Sequence, residues 1–227
     1  MWSQTLQIVE KYGGVFVEGL LGTLWLSVVS VIGATILGTV FALLRLTKSR
    51  IIGAIIGAYL AIIRGTPVLL QLYFFWLLLP KIVPFEMSEA TSILVALIIN
   101  ASAYVVEVVR AGIQSVEVGQ IEAAKSLGLR SSYRFSKIIL PQAIKIILPA
   151  LGNQYIMMVK QTSLASVFFV PEIMTSYKTV QAATFMPLPS LMIAGVIYFV
   201  VTAILSKGLQ LMERRMNRND DRTALAN

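Results

Sequence analysis

The sequence predicts an all-α integral membrane protein with about five transmembrane helices. Of the 227 residues, 57% are hydrophobic and only 13% are charged, whereas about 25% of the residues in a soluble domain are charged. The hydrophobic residues also form long uninterrupted runs, and a helix needs about 20 such residues to cross a hydrocarbon core about 30 Å thick. Lys and Arg cluster between these runs rather than within them.

Five apolar runs account for most of the chain, which we interpret as a single transmembrane domain over residues 1–212. The second run is interrupted by Arg64-Gly65-Thr66-Pro67, and a polar, basic segment over 110–141 separates the third run from the fourth. The polar tail 213–227 shows no apolar periodicity, so we expect it to lack regular structure. The predicted spans cover residues 19–44, 51–79, 88–109, 144–159 and 188–211.

The distribution of basic residues predicts the orientation of these spans. With five spans, 14 of the 19 Lys and Arg residues fall on one side of the membrane. That side holds the loop between the first two runs, the 110–145 segment and the tail. Because cytoplasmic loops are enriched in Lys and Arg, we predict a multi-pass protein of the cytoplasmic (inner) cell membrane with its N-terminus outside and its C-terminus inside. The same asymmetry accounts for the net charge of +8, so no nucleic-acid partner is predicted.

Several kinds of chemistry are excluded by composition. The chain has no cysteine and no histidine, which excludes disulfides, thiolate nucleophiles, the usual zinc sites and any Ser-His-Asp triad. It also has no GxxxxGK[ST] phosphate-binding loop. We therefore predict that the chain is not itself an enzyme and binds no metal or cofactor.

One segment of the basic region has a distinctive pattern. It reads Glu122-Ala123-Ala124-Lys125-Ser126-Leu127-Gly128, then nine residues, then Ile138-Ile139-Leu140-Pro141. The spacing of its apolar and small residues predicts a short amphipathic helix. Gly128 would let the chain turn out of that helix, and Pro141 would start the next one. Such a helix could dock on another protein, pack on its own chain or lie on anionic lipid.

This pattern matches the EAA---G---------I-LP signature at every defined position, and the chain resembles the permease subunits of ABC importers with a type I fold. Nearly the whole chain resembles the polar amino-acid uptake branch, with Ala101 standing where serine is common. The resemblance implies that the short helix is a cytoplasmic coupling helix, whose contacts with an ATPase involve Glu122, Ala123, Ala124, Gly128 and Pro141. Further stretches that carry the resemblance are Arg64–Pro67, Asn100–Arg110, Gly119-Gln120 and Lys160–Leu164.

The resemblance also implies partners and a mechanism. The chain would pair with a second permease subunit, identical or related, in a lipid bilayer. A dimer of cytoplasmic ABC ATPase subunits would bind ATP and Mg, and an extracytoplasmic binding protein would deliver a polar amino acid for transport by alternating access. The sequence does not separate arginine, glutamine, glutamate, histidine and cystine. The alternative is an ATP-independent secondary transporter or channel.

Polar residues inside the predicted spans are candidates for the substrate pathway, because a charge at mid-membrane costs about 2.5–3.5 kcal/mol. Arg64 precedes a helix break at Pro67, and broken helices hold substrate in transporters. Asn100, Tyr104 and Glu107 share one helix face. The full set of candidates is Arg64, Thr66, Asn100, Tyr104, Glu107, Gln154, Lys160, Thr162 and Ser163.

Structural roles compete with these pathway roles. Arg64 could sit at a simple kink, paired internally or reaching the inner surface. Glu107 could serve only as the ion-pair partner of Arg110, three residues on. Lys160 could reach the outer surface rather than meet a substrate carboxylate. Gly53 and Gly57 form a GxxxG spacing, which we expect to pack one helix closely on another.

Overall fold

A computed structural model describes residues 2–47 and 49–224, with side chains described as far as Met216. The predicted all-α fold is confirmed, and no β-strand occurs among the described residues. The helices are α1 (Trp2–Arg45), α2 (Arg50–Gly65), α3 (Val68–Ile82), α4 (Glu89–Gln114), α5 (Val118–Ser126), α6 (Ser131–Arg134), a π-helix (Phe135–Ile139), α7 (Leu140–Gln161), a 3-10 helix (Thr162–Phe168), α8 (Ile173–Thr184) and α9 (Pro187–Ala224).

The centre of the bundle is α4, which packs along the second half of α1. Small residues of α1 face α4, and a Cβ added at Gly38 would lie 2.6 Å from the Val105 Cβ and 2.8 Å from the Ser102 carbonyl oxygen. A Cβ added at Gly33 would likewise lie 2.8 Å from the Ile98 Cδ1 atom. Because small side chains let helices approach closely where lipid provides no hydrophobic drive, this ridge sets the α1–α4 spacing.

The number of apolar helices agrees with the five-span prediction. Four helical stretches are long and apolar enough to cross a membrane, at Trp2–Arg45, Glu89–Gln114, Ser131–Phe168 and Pro187–Met216. The fifth is the pair α2 and α3, if it counts as one span, and its two helices are bent by 113° at Thr66 and Pro67. Pro67 has no N–H and disfavours helical backbone at Thr66, so α2 has to end there.

Several helices extend beyond the predicted spans. The first helix begins at Trp2, before the span predicted from residue 19, because its charged residues Glu10, Lys11 and Glu18 all lie on exposed faces and do not interrupt it. The fourth apolar stretch extends beyond 144–159 in both directions. The tail is not irregular over 213–224, since α9 continues to Ala224; residues 225–227 lie outside the described residues.

Pro141 lies in the first turn of α7, as predicted, but α7 continues a longer helical stretch rather than starting a separate one. That stretch begins at Ser131 and runs without interruption into α7. The turn before Pro141 is widened into a π-helix, in which the Leu140 N–H bonds to the Phe135 carbonyl five residues back. A widened turn of this kind interrupts regular α-helical hydrogen bonding, which lets a residue without an N–H lie inside a continuous helix.

A helix that the sequence did not predict, α8, packs against the first half of α1 and the start of α9. Its neighbours on α1 are glycines: a Cβ at Gly19 would lie 2.9 Å from the Glu172 carbonyl oxygen, and one at Gly22 would clash with the Pro171 carbonyl. The Ser176 hydroxyl also donates to the Val15 carbonyl at 2.8 Å. These contacts join α1, α8 and α9 at the Glu89 end of the bundle.

The predicted packing role of Gly53 and Gly57 is not found within the chain. A Cβ added at either position would meet no atom within 4 Å. Their spacing therefore sets no close helix contact among the described residues.

Candidate functional site

Three arginines from three parts of the chain converge on the carboxylate of Glu107. Arg45, the last residue of α1, donates from Nη1 to Oε1 at 3.0 Å. Arg110 lies one turn further along α4 and donates to Oε2 from Nε at 2.9 Å and from Nη2 at 2.5 Å. Arg64, in the last turn of α2, places Nη1 3.6 Å from Oε1. The predicted Glu107–Arg110 pair is therefore present, but within a larger cluster.

This cluster lines an open cavity of about 520 Å³ between the ends of α1, α2 and α4. The Arg64 guanidinium lies 6.0 Å from the centre of the Tyr104 ring, a cation–π distance. Three guanidinium groups against one carboxylate leave an excess of positive charge. An open cavity with an excess of positive charge favours an anionic group such as a carboxylate. The remaining lining residues are small or apolar: Gly57, Leu60, Ala61 and Gly65.

The break between α2 and α3 is held by Gln71, which is 5% exposed. Its Nε2 donates to the Ile63 carbonyl at 2.7 Å, to the Thr66 hydroxyl at 2.8 Å and to the Thr66 carbonyl at 3.1 Å. Its Oε1 accepts from Asn100 Nδ2 at 2.8 Å. Since Pro67 cannot supply an N–H to Ile63, the glutamine amide replaces that missing donor.

Two predicted pathway residues are thus engaged inside the protein in this conformation. Asn100 is 1% exposed and uses its amide group on Gln71, while its Oδ1 is buried and has no hydrogen-bond partner. Thr66 donates its hydroxyl to the Ile62 carbonyl at 2.8 Å and accepts from Gln71. Thr66 lies two residues from Arg64, and Asn100 lies one turn before Tyr104 on α4. Neither residue lines the cavity, but both support the helices that do.

A second group of predicted residues lies at the opposite end of α7, away from the arginine cluster. Lys160 and Ser163 line an open cavity of about 440 Å³ that also contacts Tyr198 of α9. The Ser163 hydroxyl donates to the Lys160 carbonyl at 2.6 Å. Thr162 is fully buried and donates to the Val159 carbonyl at 2.7 Å. Gln154, two turns earlier on α7, is half-buried and lines neither cavity.

A buried carboxylate adjoins this second cavity and was not predicted as a site residue. Glu172 is 0% exposed and caps α8 by accepting from the Met174 and Thr175 N–H groups at 2.8 and 2.6 Å. It also accepts from the Tyr198 hydroxyl at 2.8 Å. These bonds give the carboxylate its hydrogen-bond partners and join α8 to α9. Glu172 therefore has a structural role, which its sequence neighbours do not indicate.

The EAA segment forms the short helix α5 between α4 and α6, as predicted. Ala124 is buried, whereas Glu122, Ala123 and Lys125 are exposed. The helix ends at Ser126, and the turn after it contains Gly128, whose φ of +72° favours glycine. The Leu129 N–H bonds back to the Ala124 carbonyl at 3.2 Å. Glu122 is the fifth of the nine residues of α5, not near its start as predicted, so it lies in the middle of the exposed face.

Two hydrogen bonds hold α5 in place. Gln142 of α7 donates to the Gln120 side chain at 2.7 Å. Arg134 donates to the Leu129 carbonyl at 2.9 Å, which fixes the turn after Gly128. Leu127 projects beside this turn and is 78% exposed. The outer side of α5 therefore presents a charged, small and apolar surface without a partner in the described part of the chain.

Besides Glu172, the sequence analysis missed Gln71 and Arg45 at the first cavity and the helix break beside it. Gln71 is the one amide within the long apolar stretch after Pro67, and an amide in such a stretch needs an internal partner; that signal could have found it. Arg45 was counted only as a residue that ends the first run. Its pairing with Glu107, 62 residues away, depends on the tertiary contact between α1 and α4.

Comparisons with known proteins agree with this architecture. Residues 17–218 match the family described as binding-protein-dependent transport system inner membrane component. The arginine transport system permease protein of Bacillus subtilis is 37% identical over 89% of this chain and 93% of its own length. The nopaline transport system permease protein of Agrobacterium fabrum is 35% identical, over 86% of this chain and 85% of its own.

Solved structures show the same fold. The crystal structure of an amino acid ABC transporter with histidines contains a chain that superposes with a TM-score of 0.87 at 38% identity, covering 92% of this chain and 97% of that one. An inward-facing methionine ABC transporter matches with a TM-score of 0.74 at 18% identity, covering 89% of this chain and 96% of its own, which shows the fold alone. The chain belongs to the family of binding-protein-dependent transport system inner membrane components, among the permease subunits of amino-acid ABC transporters.

Proposed function

We propose that this chain forms half of the membrane pathway of an ATP-driven importer for a polar amino acid. Its partners are a second permease subunit, a dimer of cytoplasmic ABC ATPase subunits that binds ATP and Mg, and an extracytoplasmic binding protein. The observation that carries the proposal is α5, a short helix that stands outside the bundle and exposes Glu122 and Ala123. Relatives named for arginine and nopaline transport support a polar amino acid as substrate.

Coupling depends on α5 being accessible to another protein while held firmly by its own. Ala124 faces inward and anchors the helix, and Gly128 gives the turn that leads back to the membrane. Glu122 and Ala123 are the contacts available to the ATPase. Pro141 acts indirectly, from the first turn of α7, directly after the π-helix that joins this segment to α7. ATP binding closes the ATPase dimer, which moves α5 and shifts the permease between its two states.

The substrate meets two polar regions along the pathway, one at each cavity. At the first, Arg64 and Tyr104 are placed to receive the substrate carboxylate, with Glu107 balancing the local charge and Thr66 and Asn100 supporting the helix break. At the second, Lys160 and Ser163 line the cavity, and Thr162 stabilises the turn behind them. Gln154 lies on α7 between the two regions. An amino acid carries both charges, which suits a route with cations and a carboxylate at separate points.

ATP dependence is the direct test of this function. The tagged chain is purified in mild detergent with its co-purifying subunits and reconstituted into liposomes, and uptake of radiolabelled arginine and glutamine is measured. We expect an ABC ATPase to co-purify and uptake to require ATP and the binding protein. Uptake by the chain alone under an ion gradient would instead establish the secondary-transporter alternative.

The proposed orientation has the N-terminus outside and the C-terminus in the cytoplasm. It follows from the concentration of Lys and Arg on the side that holds α5 and the tail. Reporter fusions at residue 1 and Asn227 test it, with alkaline phosphatase active only at the first and a fluorescent cytoplasmic reporter only at the second. Two termini on the same side would contradict both the orientation and the odd number of spans.

A further inference from the structure

Two side chains, those of Thr66 and Gln71, supply donors to backbone carbonyls at the end of α2. A helix leaves its last four carbonyls without intrahelical donors, and in a membrane such groups need partners inside the protein. Among the described residues, Thr66 supplies one donor to Ile62, and Gln71 supplies donors to Ile63 and Thr66. Gln71 thus holds the end of α2 from the second turn of α3.

Asn100 fixes the orientation of that glutamine. Its Nδ2 donates to Gln71 Oε1, which leaves the glutamine Nε2 directed at the break. The two amides form a buried contact that joins α2, α3 and α4. The Asn100 Oδ1 remains without a partner, and an open buried acceptor makes the pair less stable than an apolar contact of the same size. The pair instead fixes the position of the end of α2 relative to α4.

The position of Arg64 depends on the same geometry. Arg64 lies between the two backbone carbonyls that Gln71 binds, those of Ile63 and Thr66. On α4, Tyr104 is one turn beyond Asn100 and Glu107 is nearly two, and both lie against Arg64. A shift of the break would therefore move the guanidinium away from both groups.

We infer that Gln71 is a positioning residue for translocation: with Asn100 it locks the α2–α3 break so that Arg64 faces Tyr104 and Glu107. This inference rests on the proposed role of the Arg64 cavity in the pathway. Gln71 itself is buried behind the break and does not line that cavity. Its effect on transport is therefore indirect, through the backbone on either side of Arg64.

The geometry of the break can be measured apart from transport. Because the chain contains no cysteine, spin labels on cysteines introduced at Ile51 and Ile82 report the distance between the exposed far ends of α2 and α3. The measurement uses the whole transporter in lipid nanodiscs, with arginine and glutamine uptake measured on the same preparations. In the parent protein we expect one narrow distance distribution.

The test variants are Q71L and N100L, with S92A as the matched control. Q71L removes the donor and N100L removes only its anchor, so the second keeps the test meaningful if the first folds poorly. Ser92 is also fully buried on α4, and its hydroxyl bonds to the Ser88 carbonyl at 3.2 Å, away from the break. The double substitution Q71N/N100Q keeps one long and one short amide side chain, so it should restore both the label distance and the uptake.

We expect Q71L and N100L to broaden or shift the distance and to lower kcat/KM on the order of tenfold, as for an unsatisfied buried polar group, whereas S92A changes neither. An unchanged distance in both variants, or a changed distance with normal uptake, would overturn the inference. A similar change in S92A would also overturn it, by showing a general loss of packing. Normal uptake by R64Q would refute the proposed cavity while leaving the distance result intact.

Discussion

Glu107 illustrates how one side chain in this protein organises several others. Its carboxylate accepts from Arg45 and Arg110 and faces Arg64, so residues from α1, α2 and α4 meet at one point. Without it, three guanidinium groups would lie together at the end of the bundle. An acidic residue on α4 is therefore required for the arginines to share the cavity, whatever further role its charge has in transport.

The substitution Glu107→Gln tests this balance of charge. It keeps the shape of the side chain but removes its charge, so we expect the free energy of unfolding to fall by about 1–2 kcal/mol, a value limited by partial solvent exposure. Thermal unfolding of the purified chain in detergent measures the change. Glu18→Gln, at an exposed position of α1, is the matched control. Equal effects of the two substitutions would show that the arginine cluster adds no stability.

At the scale of helices, glycine has different roles at different positions of the same element. Gly38 and Gly14 both lie in α1, but a Cβ at Gly38 would overlap Val105 and the Ser102 carbonyl, whereas one at Gly14 would meet no atom within 4 Å. The first glycine allows α1 and α4 to approach each other. The second only lowers helix propensity.

These positions predict opposite effects of the same substitution. Gly38→Ala should destabilise the protein by about 1–3 kcal/mol, as overpacking does, while Gly14→Ala should stabilise it by up to about 1 kcal/mol through helix propensity. Thermal unfolding of the two variants side by side in detergent gives the comparison. A neutral Gly38→Ala variant would contradict the close α1–α4 contact, and a destabilised Gly14→Ala variant would contradict the open surroundings of Gly14.

The elements that the sequence predicted are those with a strong local signal. Apolar runs located the spanning helices, and the spacing around Glu122 located α5. The helix α8 was missed because it is short and its exposed side carries Lys178 and Thr179 among small polar residues, a pattern common in loops. Pro141 was correctly predicted in the first turn of a helix, but the π-helix that joins this helix to the preceding one was missed, because no local sequence pattern indicates it.

The candidate site was predicted less completely, for a physical reason. Arg64, Tyr104 and Glu107 were identified because polar groups in an apolar span are conspicuous. No local pattern defines the register between α1 and α4, so the contact of Arg45 with Glu107 could not be inferred. The amide pair of Gln71 and Asn100 likewise depends on the angle between α2 and α3.

At the scale of the whole molecule, α5 is connected to the cavity through rigid helices. It follows α4, whose Gly112 packs tightly against Ile147 of α7. Gln142 of α7 in turn bonds to Gln120 of α5. A displacement of α5 would therefore move the end of α4 that carries Glu107 and Arg110 together with the adjoining turn of α7. This linkage gives the proposed coupling a physical route, since closely packed helices transmit small shifts.

Substitutions on α5 should separate membrane assembly from coupling. We expect Gly128→Asp and Glu122→Lys to give well-inserted protein that loses ATPase association or substrate-stimulated ATP hydrolysis. Neither position is packed within the chain: a Cβ at Gly128 meets no atom within 4 Å, and Glu122 is exposed. Overpacking of a fitted contact costs about 1–3 kcal/mol, which is comparable to an ordinary allosteric coupling free energy.

The backbone at Gly128 requires its own control, because φ is +72° there and any side chain adds strain. Gly128→Ala introduces that strain with the smallest side chain, so Gly128→Asp should impair coupling more than Gly128→Ala does. ATPase retention and stimulated turnover are measured in reconstituted complexes, and insertion is measured by the yield of folded permease. Full coupling with both Gly128→Asp and Glu122→Lys present would show that α5 is not the ATPase interface. Equal losses in Gly128→Ala and Gly128→Asp would assign the effect to the turn rather than to a clash with the partner.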